Sequence, residues 1–539
     1  MGAARKPPIG PTPRPAPSRP TRLPPSARHP SLLEINTRVW LYELGLELGL
    51  GRPATLAEVP DAALEPIVAE GFDWVWLLGV WQTGEAGRSV SLHETAWLQE
   101  YHELLPDYTP DDVCGSPFAI QDYTVNADFG GPAALAQLRR RLAERGIRLM
   151  LDFVPNHTAL DHPWASSHPE YYVSGSDEDI AREPMNYHRI ESPAGSRVLA
   201  HGRDPYFPGW PDTLQLNYRH RGLREAMMGV LEQIATQSDG VRCDMAMLPL
   251  PGVIMRTWGE RSTPADGTPP NDESFWVEAI QRVRRERPDF VFMAEAYWDL
   301  EWTLQEQGFD YTYDKRLYDR LHSYDAPAVR GHLHADAEYQ RHSARFLENH
   351  DEPRAAEAFP PPVDPAAAVI ALLAPGLHFV HDGQEAGRRI RTSNHLRRRA
   401  PETPDPELHA FYDRLFACMR RPEVRNGEWQ LLEPRPAWDG NPTWERLVAF
   451  AWNDERHRLV TAVNYGETQA QAYIPMPFPN LDGRSWLLRD LVNPGLTYER
   501  DGADLAHRGL YLDVPPWRCH VFEFVAAETA AANPKSEGA

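Results

Sequence analysis

Short apolar runs that stop at acidic or histidine residues recur through the centre of this chain. They read LMLDFVPNH (149–157), DGVRCDMAM (239–247), FVFMAEAYW (290–298) and RFLENHDEP (345–353). Each run is rich in β-branched, aromatic and long aliphatic residues and has the length of a strand buried on both faces. Eight such strands are expected: VWLYEL (39–44), DWVWLLGVW (73–81), RLMLDFV (148–154), GVRCDM (240–245), FVFMAEA (290–296), FDYTY (309–313), SARFLEN (343–349) and LHFVHD (377–382). Helical patterns lie between them. In PAALAQLRRRLAERG (132–146), Leu135, Leu138 and Leu142 recur at helical spacing and Gly146 supplies the stop. SFWVEAIQRVRRERP (274–288) and PELHAFYDRLFACMR (406–420) behave alike.

Strand and helix alternating in this way predict a parallel sheet with helical crossovers. The expected fold class is α/β, a (β/α)8 TIM barrel with a loop-inserted subdomain and a C-terminal antiparallel β-sandwich. In such a barrel the C-terminal strand ends converge on one face. Asp152, Arg242, Asp244, Glu295, His350 and Asp351 can then meet although they are far apart in sequence.

Two connections, 83–131 and 158–219, exceed what a barrel needs, and both are expected to wall the cleft. After about residue 424 the pattern becomes short alternating runs: RLVAFAWN (446–453), HRLVTAVNY (457–465) and RCHVFEFV (518–525). The domain reading is a Pro-rich disordered leader (1–33), a catalytic barrel (34–423) with an inserted subdomain (158–219), a C-terminal β domain (424–527) and a disordered tail (528–539).

Composition narrows the partners. The 539 residues and 42% hydrophobic content suffice for a large core. A net charge of -22 argues against nucleic acid or an anionic membrane surface, both of which repel an acidic protein. No run approaches the roughly 18 apolar residues that span a bilayer. Residues 1–30 are Pro-rich and basic, unlike a signal peptide, so a cytoplasmic location is expected. The four cysteines, Cys114, Cys243, Cys418 and Cys519, include no pair at metal-ligand spacing. Cys243, next to Asp244, is expected to point away from the site as apolar filler.

With Arg two residues before Asp in the second cluster, with FAIQDYTVNADFGG (118–131) and with HDGQE (381–385), the four clusters in this order resemble the α-amylase family, glycoside hydrolase family 13. The resemblance covers most of residues 36–420. It implies a retaining α-glycosidase that cleaves α-1,4-glucosidic bonds of oligosaccharides or maltodextrins, with Asp244 as nucleophile and Glu295 as general acid and then base. It makes Asp351 the group that grips sugar hydroxyls and helps distort the ring, and His157 and His350 donors to sugar hydroxyls. Phe118 stands where the family usually has a stacking Tyr. Arg242 is placed to keep Asp244 ionised, and Asp152 to organise the cluster through Arg242. Trp81, Trp97, Trp210 and Trp298 are either cleft walls or core.

The chain departs from the family at several positions. Met247 and Leu248 replace a Lys and a His commonly found after the nucleophile, and Ala119 replaces an Asp of many exo-acting α-glucosidases. Asn156 matches a calcium-ligand position, but Leu248 removes a further ligand there, so no cofactor is expected and Ca²⁺ is the weaker alternative. GSPFAI (115–120) and DHPWASSHPEYY (161–172) also resemble the family's maltosyl-transferring branch, which uses a phosphorylated donor. Arg388, Arg389, Arg391, Arg397, Arg398 and Arg399 form a basic run that either lies in solvent or holds such a phosphate. A glucan glycosyltransferase and a non-catalytic carbohydrate-binding module remain alternatives.

Overall fold

The computed structural model describes residues 27–192 and 195–527; most of the leader and the tail 528–539 lie outside the described residues. Eight parallel strands close into a barrel in sequential order. They are β1 (Ser31–Asn36), β2 (Trp74–Leu78), β3 (Arg148–Phe153), β4 (Gly240–Cys243), β5 (Val291–Ala294), β6 (Tyr311–Tyr313), β7 (Ser343–Arg345) and β8 (Leu377–His381). Every residue of β2 and β8 is buried, as expected of strands covered by side chains within and by helices without.

Seven of the eight expected strands are present, but the first is misplaced. VWLYEL (39–44) lies inside a helix, α1 (Thr37–Glu47), and the strand is the preceding SLLEIN. The Asn36 side chain caps this helix by accepting from the Val39 N–H, and Leu41 and Leu44 turn inward at helical spacing. A short apolar run is compatible with either structure, and the cap decides it. The barrel therefore takes in Ser31–Leu33, which the reading of the leader had left outside. The three helices expected at 132–146, 274–288 and 406–420 form as α2 (Gly131–Glu144), α3 (Phe275–Glu286) and α4 (Pro406–Met419).

The long connections carry small sheets of their own. Between β2 and β3, Trp81–Thr83 pairs with Ile120–Val125. Between β3 and β4, His157–Ala159 pairs with Thr213–Gln215, and a hairpin joins Tyr187–Ser192 to Gly195–Ala200. Beyond the barrel, nine strands make two antiparallel sheets, of six and three strands, with one shared apolar core. Leu447, Ala449 and Val460 from one sheet meet Ala472, Ile474 and Leu512 from the other. This sandwich is fastened to the barrel by hydrogen bonds from the Trp452 indole to the Leu373 carbonyl and from the Tyr465 hydroxyl to the Leu321 carbonyl.

Candidate active site

Strand register brings the two central carboxylates together. Arg242 in β4 pairs with Asp152 in β3 and Met293 in β5, and Cys243 pairs with Ala294. One step beyond that pair, at the strand ends, stand Asp244 and Glu295. The Arg242 guanidinium is fully buried between them. One terminal nitrogen donates to Asp244 Oδ1 at 2.6 Å and the other to Glu295 Oε2 at 2.6 Å. Trp76, Phe118 and Tyr313 surround the guanidinium, with ring centroids 5.2, 5.3 and 5.8 Å from its carbon. Glu295 receives two further hydrogen bonds, from the Met245 N–H to Oε2 and from the Tyr297 hydroxyl to Oε1.

Burial dominates the electrostatics of this pair. It raises Glu295 to about 7, against the opposing pull of Arg242 and with help from the neighbouring Asp244 and Asp351 charges. The same desolvation pushes Asp244 upward, and Asp351 adds to it, while Arg242 works to keep it charged. Arg242 thus occupies its expected place, but the loss of water outweighs it.

The end of β7 supplies a second charged unit. His350 is buried, its Nδ1 bonded to Glu34 Oε1 at 2.5 Å and its Nε2 3.0 Å from Asp351 Oδ2. Burial alone would lower its pKa, but Asp351 and Glu34 outweigh it and raise it to about 10, so an imidazolium stands here. Asp351 is 43% exposed and accepts from the Asn394 amide at 3.3 Å. Desolvation pushes its carboxyl upward, but His350, Arg242 and Arg391 together outweigh it and bring it down to about 2.

The remaining expected residues complete one connected cluster. The Phe118 ring lies 5.3 Å from the His350 ring, tilted by 34°, and Trp76 meets the same imidazole edge-on at 5.5 Å. His157 is buried beside the Phe118 backbone and 5.2 Å from the Trp210 ring, and burial lowers it to about 3, leaving a neutral imidazole. Asp152 works differently from the expectation. Its carboxylate is held by the Trp76 indole at 3.0 Å and the Gly79 N–H at 2.7 Å, and it acts on Arg242 only through its field. Trp81 is core, its indole bonded to the Asp152 carbonyl. Trp97 packs on His395 in a separate apolar cluster, whereas Trp298 lies beside the exposed Tyr206 ring, 5.1 Å away. Cys243 is fully buried and desolvation pushes its thiol far up, as befits filler.

Residues 109–405 match the model of the alpha amylase catalytic domain. The chain belongs to the alpha-amylase family. Curated relatives include alpha-amylase MalA of Haloarcula japonica, 26% identical over 362 residues that make up 66% of this chain and 48% of that protein. Another is an alpha-1,4-glucan:maltose-1-phosphate maltosyltransferase of Picrophilus torridus, 26% identical over 37% of this chain and 26% of that one. The chain spans about half the length, or less, of the curated relatives it matches. In fold it is similar to the maltogenic alpha-amylase AmyB of Thermotoga neapolitana, with a TM-score of 0.64 and 18% identity, covering 92% of this chain and 99% of that one. No helix among the described residues is long and apolar enough to cross a membrane.

Within this family framework, five contributors are missing from the sequence reading, among them Trp76, which lies inside a strand run that reads as core. Glu34 was hidden by the misplaced first strand. Tyr297 follows Glu295 by two residues, and that spacing alone marks it as sharing a side with the carboxylate. Tyr313, at the end of β6, donates no carboxylate and so left no acidic signal. Asn394 comes from a loop with no strand pattern.

Two departures noted in the sequence are resolved by packing. At the calcium position, Asn156 Oδ1 already accepts from the Gln215 amide at 2.9 Å, and Leu248 is buried in apolar surroundings. These donors do not fit a cation. In the basic run, Arg389, Arg391, Arg397, Arg398 and Arg399 lie within ion-pair distance of Glu357, Glu100, Asp112, Asp107 and Glu43 respectively. Only Arg388 lacks such a carboxylate, and burial works against its charge.

Proposed function

We propose that this chain is a retaining α-glycosidase that hydrolyses α-1,4-glucosidic bonds of malto-oligosaccharides. The observation that carries this reading is the shared guanidinium: two buried carboxyls, one at about 7, sit on opposite terminal nitrogens of Arg242. Retaining cleavage needs one carboxylate that attacks and one carboxylic acid that protonates, on opposite sides of the bond.

The hydrogen bonds assign the atoms. Asp244 Oδ1 is engaged by Arg242, which leaves Oδ2 to attack the anomeric carbon. Glu295 Oε2 already accepts from Arg242 and from the Met245 N–H, so the acidic proton resides on Oε1, beside the Tyr297 hydroxyl. As the Oδ2–carbon bond forms, the glycosidic oxygen leaves with the proton from Oε1. A water then attacks the glycosyl ester, returns one proton to Glu295, and releases Asp244. Asp351, ionised and hydrogen-bonded, grips ring hydroxyls while positive charge develops on the sugar. Phe118 lies beside this position as a platform.

Transfer to a sugar acceptor shares every step but the last and is the second reading, because maltosyltransferases stand among the matched relatives. The arginine run gives a phosphorylated donor little support, since five of its six members already face carboxylates. Incubation with maltoheptaose separates the two readings. Products shorter than the substrate support hydrolysis, longer ones support transfer, and a phosphate-dependent product supports the phosphorylated-donor variant. Wild-type rates on maltoheptaose in purified D244N or E295Q protein overturn the site.

A further inference from the structure

Three oxygens converge on the side-chain nitrogen of Gln215. They are the Asn156 carbonyl at 3.0 Å, Asn156 Oδ1 at 2.9 Å and the Leu216 carbonyl at 3.0 Å. With no cation between the oxygens, the amide is held in this orientation. Its oxygen accepts from the Arg203 N–H at 3.2 Å, and reversing it would set four oxygen acceptors face to face. All three residues are almost wholly buried, so water does not share the task.

Oxygen atoms gathered around one centre are the usual surroundings of a hard cation. Here two features disfavour one. The amide nitrogen itself fills the centre of the three oxygens, at 2.9–3.0 Å, the length of an N–H···O hydrogen bond. None of the three oxygens belongs to a carboxylate, so nothing offsets the cost of stripping a divalent ion of water.

We propose that the Gln215 side-chain amide is this chain's built-in substitute for a divalent cation, cross-linking the loop after β3 to the Thr213–Gln215 strand without metal. The cross-link bears on the candidate site. Gln215 pairs in register with His157, and Asn156 precedes that histidine, so one amide nitrogen ties the residue before the imidazole to the strand opposite it. A neutral donor achieves this with two hydrogens shared among three acceptors. It also leaves His157 free of a neighbouring positive charge, consistent with its neutral state. The inference does not depend on whether the reaction is hydrolysis or transfer.

The test uses the full chain. Thermal melts of the wild-type protein in EDTA and in millimolar CaCl2 should coincide, and elemental analysis after dialysis should find no stoichiometric calcium. Q215A should melt lower in both buffers, because it strips three buried acceptors of their donor. Q215D shortens the side chain and supplies a carboxylate, leaving space where the nitrogen was; it should melt lower than wild type in EDTA and recover in CaCl2. A wild-type melting temperature that drops in EDTA and returns with calcium overturns the proposal, as does a Q215A protein as stable as wild type. A Q215D protein indifferent to calcium overturns the equivalence of amide and cation. If Q215D does not fold, the wild-type and Q215A melts decide.

Discussion

Glu34 and His350 stand 316 positions apart in the chain and meet across the barrel at 2.5 Å, a carboxylate against an imidazole in a fully buried setting. The contact exists because β1 and β8 are neighbours in the closed barrel, with Glu34 in register with His381, so the strand bearing Glu34 faces the site that β7 enters. The imidazolium is thereby held between Glu34 and Asp351.

This pair predicts a pH signature in stability. His350 titrates near 10 in the folded protein against 6.5 for an ordinary histidine, so the folded state holds its proton more tightly. Its contribution is complete below pH 6.5 and is lost as pH rises through about 10. E34Q removes one of the two charges responsible and should cost about 1–3 kcal/mol near pH 6. The deficit relative to wild type should narrow toward pH 10, as followed by urea unfolding at a series of pH values. A deficit independent of pH would mean that Glu34 acts by packing alone.

As the proposed general acid, Glu295 at about 7 should set the alkaline limb of activity. The general acid must carry its proton, so kcat/KM should decline above about pH 7. E295Q should lose roughly 10²–10⁴-fold on maltoheptaose and recover much of this on α-glucosyl fluoride with added azide, because fluoride needs no proton to leave and azide needs no base to attack. D244N should be inactive on both substrates. Steady-state rates on the two substrates separate the roles.

Arg242 serves two carboxylates with one planar fork, which a lysine cannot reproduce. R242K should therefore reduce kcat by about 10²–10³-fold, because a single ammonium satisfies at most one partner well. The pH profile is the diagnostic readout. Loss of the Glu295 contact removes an interaction that lowers its pKa, so the alkaline limb should move to higher pH.

Phe118 touches His350 and Arg242 through its ring alone. F118Y keeps the ring and should retain activity within a few-fold. F118A should raise KM for maltoheptaose and lower kcat, costing about 1–3 kcal/mol in kcat/KM through lost stacking. An F118A enzyme with unchanged KM and kcat would remove the ring from the substrate platform.

Much of the candidate site is legible in the sequence. Asp152, Arg242, Asp244, Glu295, His350 and Asp351 each end an apolar run, and the ends of parallel barrel strands have one place to go. Strand alternation alone turns Cys243 away from the site, and it is fully buried. The misplaced first strand shows the limit of pattern. VWLYEL has strand composition, but Asn36 caps a helix there, and a hydrogen bond from a side chain to the backbone leaves no trace in hydrophobic periodicity. That one error concealed Glu34.

The sequence by itself determined the barrel, the sandwich that follows it and the set of groups available for chemistry, because periodicity and the order of strand ends are local properties of the chain. Only the tertiary structure decided how charge is distributed among them. Whether Asp152 bonds Arg242 or Trp76, whether five arginines face carboxylates or open space, and whether the Gln215 amide meets three oxygens are matters of which side chains meet. So are the proton affinities of Glu295 and His350, which depend on how much water burial removes and which charges remain nearby. Neither quantity is carried by any one segment of the chain.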